Sequence, residues 1–244
     1  PTQHPQFSLV CCVSKLEVFE RRLLASPCLQ RGNLSLSAHF NCSSAAQAFN
    51  AALQGAKSQD WLVWVHQDVY LPDGWEDKFS LRLLEAQNTF NRLAVVGVYG
   101  LRGVAPHVTR AGHVLDRGLL LREQAPLPGL VDSLDELLFA VRVNSELKLD
   151  PELGFDFYAT DLVLQAQKHG YQAAVVDAYC EHWSDTPAFG HIPATTQARI
   201  ASSGSKFETK WAAQLPISTP CFDIRQTGDV QRAIVHFASL RQSE

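Results

Sequence analysis

The chain has 244 residues, of which 46% are hydrophobic and 19% charged, and its formal net charge is −4 at pH 7. This suits one α/β domain, or one domain with a small appendage, with enough chain to bury a sizeable core. The mild acidity argues against a general nucleic-acid binder, and no apolar run reaches the roughly 18–20 residues that cross a membrane.

The opening residues, PTQHPQ, have neither the basic start nor the apolar centre of a signal peptide, and without an initiator methionine the chain reads as processed or trimmed. Six cysteines (Cys11, Cys12, Cys28, Cys42, Cys180 and Cys221) are scattered with no Cys-x-x-Cys pair. They read as reduced core thiols of a cytoplasmic protein.

The segment FSLVCCV at 7–13 is a strand apolar on both faces, as parallel strands are. A helix is expected over 17–24, and residues 34–40 alternate as a strand. The SSAAQ segment at 43–47 starts a helix with an N-cap serine, running to about residue 56, and a strand follows over 60–65. PDGW at 72–75 is a turn, 76–88 a helix and 93–98 a buried strand. Residues 100–129 hold five glycines and three prolines and read as a loop or small hairpins over the sheet. Residues 137–143 form a strand. A helix over 159–169 is closed by Gly170 and followed by a strand over 172–176. The polar 184–205 stretch reads as a mobile segment, and 207–214 as a helix ending near Pro216. The expected fold is a three-layer α/β/α sandwich on a mostly parallel, mixed sheet. Residues 1–216 form one domain and 217–244 an extension packed on it. No Gly-x-Gly-x-x-Gly, Gly-Lys-Ser/Thr or Gly-x-Ser-x-Gly motif is present, which argues against dehydrogenase, P-loop and α/β-hydrolase chemistry.

The segment WLVWVHQDVY at 61–70 is the most informative: an apolar strand that ends abruptly in His66, Gln67 and Asp68. Sites in α/β sheets lie beyond the carboxyl ends of strands, and a carboxylate beside an imidazole there suits a divalent cation with a phosphate. The bland reading of Asp68 is a cap on the next turn. Asp161 lies in the first turn of the 159–169 helix, as a dipole partner or as a general base. His182, in CEHW at 180–183, is either a surface histidine or a metal ligand. Asp135 and Glu136 precede an apolar strand and are either a solvated turn or an acceptor-binding pair. GSKFETKW at 204–211 is a diphosphate contact or an amphipathic helix that closes the fold.

Taken in order, these pieces resemble a GT-A-fold glycosyltransferase, of the glycosyltransferase-like family related to glycosyltransferase family 2. The resemblance runs from Phe7 to about Pro216. It is carried by VHQDVYL at 65–71 in the place of the DxD motif, VVGVYG at 95–100, LDELLFAVR at 134–142, FYATDLVLQA at 157–166 with Gly170 and Tyr171, His182, and Phe207 with Lys210 and Trp211. It implies Asp68 and His182 as ligands of Mn2+ or Mg2+, and Asp161 as the base that deprotonates the acceptor. It implies Ser14, Lys15, Glu17, Asn41, Asn50, His66, Gln67 and Asp68 along a nucleotide-sugar donor, with Asp135 and Glu136 near the sugar or acceptor. The acceptor would be a hydroxyl of a glycan, a lipid-linked molecule or a protein, and the transfer would be inverting. His66 stands where DxD has its first acid, so the alternative is a non-catalytic module that binds a sugar nucleotide or glycan. A metal-dependent hydrolase would need closer ligand spacing, such as His-x-x-x-His, which the chain lacks.

Overall fold

The computed structural model describes residues 4–184 and 192–239. Its main sheet has seven strands: β1 (Phe7–Val13), β2 (Leu36–Phe40), β3 (Trp61–Val65), β5 (Leu93–Gly97), β9 (Gly129–Leu130), β11 (Leu138–Arg142) and β12 (Gln172–Val175). The spatial order is β2-β1-β3-β11-β5-β12-β9. β1 runs parallel to β2 and β3, and β12 parallel to β5. β11 is antiparallel to both β3 and β5, so β3 and β5 share one direction, while β9 is antiparallel to β12. The mostly parallel, mixed sandwich is therefore as expected.

Strand alternation builds the layers. In β3, Trp61, Val63 and Val65 face one core and Leu62 and Trp64 the other. The first face is covered by α4 (Trp75–Thr89) through Trp75, Phe79, Leu83 and Ala86. The second is covered by α3 (Ala45–Gly55) and α5 (Tyr158–Lys168), through Phe49, Tyr158, Leu162 and Val163. Ser44 is the capping serine of α3, accepting from Gln47 N at 3.2 Å, while Gln47 Oε1 accepts from Ser43 N at 2.8 Å.

Other expectations are corrected. The first helix is shorter: α1 is Leu16–Arg21, and α2 (Pro27–Gln30) follows. Of the two readings of 100–129, the hairpins hold rather than the loop, and they build a second sheet. It contains β6 (Tyr99–Arg102), β7 (Thr109–Asp116), β8 (Leu119–Arg122) and β10 (Ser133–Leu134), with β4 (Val69–Tyr70) and β13 (Cys180–His182). The two-residue turn between β7 and β8 explains its glycine: Arg117 and Gly118 both have positive φ, at 50° and 82°.

Of the stretch read as mobile, 185–191 lies outside the described residues, and Ala194–Lys210 is one helix, α6. Its small residues have a packing reason. A Cβ on Gly204 would meet Val230 Cγ1 at 2.5 Å, so glycine lets α7 (Asp229–Ser239) approach. A third apolar cluster spans residue 216: Phe157, Phe207 and Trp211 join Ile217, Ile224 and Val230, with β14 (Ile217–Ser218) and β15 (Asp223–Ile224) between the helices. Among the described residues no cysteine is paired. Cys11, Cys28 and Cys180 are buried as expected, Cys12 and Cys42 are half-buried, and Cys221 is exposed.

Asp161 joins α5 to α6. It is fully buried, and its Oδ1 accepts from Trp211 Nε1 at 2.7 Å and from Lys210 Nζ at 2.7 Å, while Oδ2 accepts from Gln165 Nε2 at 2.6 Å. Two measurements check these contacts. Gly204→Ala should lower stability by about 1–3 kcal/mol through overpacking, despite its better helix propensity, and Val230→Ala in the same chain should recover most of that in a denaturant melt. Asp161→Asn should cost about 1–3 kcal/mol, because it removes the anion from three donors. An unchanged midpoint would show that the clamp carries no stability.

Candidate functional site

The carboxyl ends of β1 and β3 and the second sheet meet at one place. His66 N bonds to Leu137 O at 3.0 Å and carries the β11 ladder one residue past β3; Val69 N then bonds to His66 O at 3.2 Å and closes a turn. That turn projects Asp68. β13 lies between β4 and β7, with His182 opposite Val69 on one side and Asp116 on the other.

Three sequence-predicted residues converge there. One ligand atom from each of His66, Asp68 and His182 lies within 4.8 Å of the others. His182 Nε2 is 3.3 Å from Asp68 Oδ1, and His66 Nδ1 is 3.9 Å from the same oxygen. Their side chains keep 14%, 17% and 28% exposure for His182, Asp68 and His66, enough for solute to reach them.

The far nitrogens are oriented by neighbours. His182 Nδ1 is 2.8 Å from Asp116 Oδ1, and His66 Nε2 is 2.8 Å from the Tyr158 hydroxyl. Orientation of a ligating imidazole through its other nitrogen is the usual support for a metal site. Two imidazoles and a carboxylate suit Mn2+ better than Mg2+, which prefers an all-oxygen shell.

Electrostatics separate the two histidines. Burial, assisted by the charge of His182, pushes His66 down to about 4. Burial also opposes charge on His182, but its bonds to Asp116 and Asp68 prevail and hold it near 10. Burial likewise disfavours the Asp68 carboxylate, and is outweighed by the His182 hydrogen bond and the two imidazoles, which together bring it to about 2. Without a metal, an imidazolium thus bridges two carboxylates.

Asp135 and Glu136 precede Leu137, which bonds His66, and both are half-buried. Burial raises Asp135 above the carboxylate range, and one of its oxygens accepts from Leu137 N at 3.0 Å. Burial, and then the charges of Asp156 and Asp135, hold Glu136 well above the usual range. The Tyr158 backbone N–H donates to the Glu136 carboxylate and only partly offsets that rise. Asp156 is engaged by Arg199 in two bonds of 3.0 Å.

The remaining candidates divide. Ser14 N and Lys15 N both bond to Gln67 Oε1 at 3.0 Å, and Gln67 Nε2 donates to Ser14 Oγ at 3.0 Å. Gln67 therefore pins the corner between β1 and α1 rather than offering its amide to a ligand. Asn41, at φ 53°, bonds its N–H to Val13 O and sits exposed beside that corner. Glu17 points to solvent, with Arg21 at 3.6 Å. Asn50 is used up by Leu149, donating to its carbonyl at 2.8 Å and accepting from its N–H at 3.0 Å. Asp161 is fully buried with both oxygens bound in the α5–α6 clamp, away from any acceptor in solution. Asp116, Tyr158 and Arg199 were missed. Asp116 alone had a signal, since an apolar run ends at it before an Arg-Gly turn.

No protein-family profile matches the chain. A curated relative, "ATP synthase subunits region ORF 6" of Fuscovulum blasticum, is 30% identical over 127 residues, covering 50% of this chain and 51% of that protein. The chain thus spans about half the length of the curated relative it matches. Two solved structures share its shape across nearly its whole length. The mannosyltransferase PcManGT from Pyrobaculum calidifontis, in complex with GDP-Man and Mn2+, has a TM-score of 0.52 at 11% identity, covering 98% of this chain and 70% of that one. GalNAc-T7 with UDP, GalNAc and Mn2+ has a TM-score of 0.53 at 12% identity, covering 96% and 55%. At such identities the likeness speaks for the fold: the chain has the GT-A-type fold of glycosyltransferases.

Proposed function

We propose that this chain is a metal-dependent, inverting glycosyltransferase that moves a sugar from a nucleotide-sugar donor to an acceptor hydroxyl. The observation that carries the reading is the convergence of His66, Asp68 and His182 at the carboxyl end of β3, within a GT-A-type fold. Both structural neighbours were solved with Mn2+ and a nucleotide or nucleotide sugar. Asp68, His182 and His66 would hold the ion, with Asp116 and Tyr158 fixing the imidazoles. A bound Mn2+ or Mg2+ supplies positive charge for the departing diphosphate. The nucleotide would lie along the exposed corner of Ser14, Lys15 and Asn41.

The base is reassigned from Asp161 to Glu136. Asp161 is fully buried in its clamp, Asp156 is bound by Arg199, and one Asp135 oxygen is tied to its own turn. Burial holds the proton affinity of the Glu136 carboxylate above the usual range although the Tyr158 N–H donates to it, and a raised proton affinity matches a general base. It would take the acceptor proton as the acceptor oxygen bonds the anomeric carbon, and the bond from that carbon to the diphosphate breaks with its electron pair leaving on the diphosphate. One displacement inverts the centre.

Glu136→Gln should leave binding of Mn2+ with a nucleoside diphosphate intact and lower transfer by roughly two to four orders of magnitude. In the parent, the rate should fall on the acid side of a pKa above the usual carboxylate range. Donor turnover against pH, with calorimetry of the variant, checks both points. Nucleotide binding without turnover in the parent would favour the non-catalytic module.

Metal binding has its own pH signature. The His182 pKa is raised from 6.5 to about 10, so its protonated bridge stabilises the metal-free fold fully below the lower value and is lost as pH rises through the upper. Mn2+ must displace that proton. Its affinity should therefore rise between these values, with about one proton released per ion at neutral pH. Calorimetry in buffers of different ionisation enthalpy counts the proton, and a flat profile would remove His182 from the ligand set.

A further inference from the structure

The turn that carries Asp68 also anchors a cation that the site above leaves unused. Leu23 N donates to Gln67 O at 3.4 Å, and Trp183 N donates to Asp68 O at 2.9 Å. These bonds fasten the exit of α1 and the residue after His182 to successive peptide groups of one turn. The side chains anchored there meet: the guanidinium carbon of Arg22 lies 4.5 Å from the centroid of the Trp183 ring. The indole is held in turn by Glu181, whose Oε2 accepts from Nε1 at 2.9 Å.

Stacking immobilises a guanidinium by its face and leaves the N–H groups on its edge to meet an oxyanion. No described residue accepts a hydrogen bond from the Arg22 side chain, and both members of the stack are half-buried. The other arginines around the site are committed, Arg117 to Asp116 and Arg199 to Asp156. The surroundings of the metal turn are rich in carboxylates: Asp68, Asp116, Asp135 and Glu136. A diphosphate gains negative charge as its bond to the sugar breaks, so a fixed second cation at the metal turn stabilises that stage.

We infer that Arg22, held over the Trp183 ring, binds the diphosphate of the donor beside the metal. The inference rests on the glycosyltransferase reading. The test is calorimetric binding of UDP, GDP, inorganic pyrophosphate, uridine and guanosine in saturating Mn2+. It uses the full chain and the variants Arg22→Gln, Arg22→Lys, Trp183→Phe and Trp183→Leu, with melting temperatures alongside. Arg22→Gln should weaken whichever nucleoside diphosphate the parent binds, and pyrophosphate, by roughly 10- to 100-fold. Nucleoside affinity and melting temperature should stay unchanged. Trp183→Leu should weaken the same ligands and Trp183→Phe much less, since the phenyl ring keeps the plate. Arg22→Lys should recover only part, because lysine lacks the fork.

Parental affinity in Arg22→Gln would overturn the inference and leave the glycosyltransferase reading intact. Equal weakening toward nucleosides would also overturn it, by making the stack a structural brace. A parent that binds neither nucleoside diphosphate with Mn2+ would sink the glycosyltransferase reading itself, and the inference with it.

Discussion

The carboxyl edge of this fold depends on how three consecutive residues divide their bonds. His66 continues the ladder to Leu137 and so inherits the rigidity of the buried sheet. Gln67 spends its whole side-chain amide on the corner between β1 and α1. Asp68 gives its carbonyl to Trp183 and keeps its carboxylate for the histidines. Each residue of the turn thus fixes a different wall. A carboxylate positioned by two sheets and a helix corner needs little reorganisation to hold an ion, and preorganisation of this kind gives a charged site its strength.

Charge balance explains why the two histidines differ although both touch Asp68. His182 is sandwiched between Asp116 and Asp68, and the two anions overcome its burial. His66 has no carboxylate in hydrogen-bond contact, only the Tyr158 hydroxyl, and the positive charges of His182 and Arg199 oppose those of Asp68 and Asp116, so burial wins. The resulting imidazolium holds one unit of positive charge where an ion would bring two.

Much of the layered core was legible in the chain because strands apolar on both faces, such as β1 and β3, have few other places to go. The sequence also pointed to His66, Asp68 and His182, whose polar chemistry interrupts apolar runs. It could not supply the register by which β13 enters between β4 and β7, and that register brings Asp116 to His182. Glycines in the 99–122 region look like loop punctuation, yet Gly112 sits in β7 because a Cβ there would strike Val98 O at 2.6 Å. Asp161 misled for a related reason. An acid in the first turn of a helix looks available to a ligand, and only tertiary packing reveals that Trp211 and Lys210 have consumed it. The amphipathic reading of the 204–211 segment proved the useful one, since its basic end faces Asp150 and Asp161.

The hairpin of β7 and β8 has a consequence for how this protein can vary. Asp116 is the last residue of β7 before the Arg117–Gly118 turn, and it faces His182 because the side chains of a strand alternate. Adding or removing one residue within 109–116 would send that carboxylate to the opposite face. The connection at 103–108, at the other end of the same strand, carries no such phase. Length changes among homologues should therefore accumulate at 103–108 and be purged from 109–118, and the connection rather than the hairpin is the place to graft new sequence.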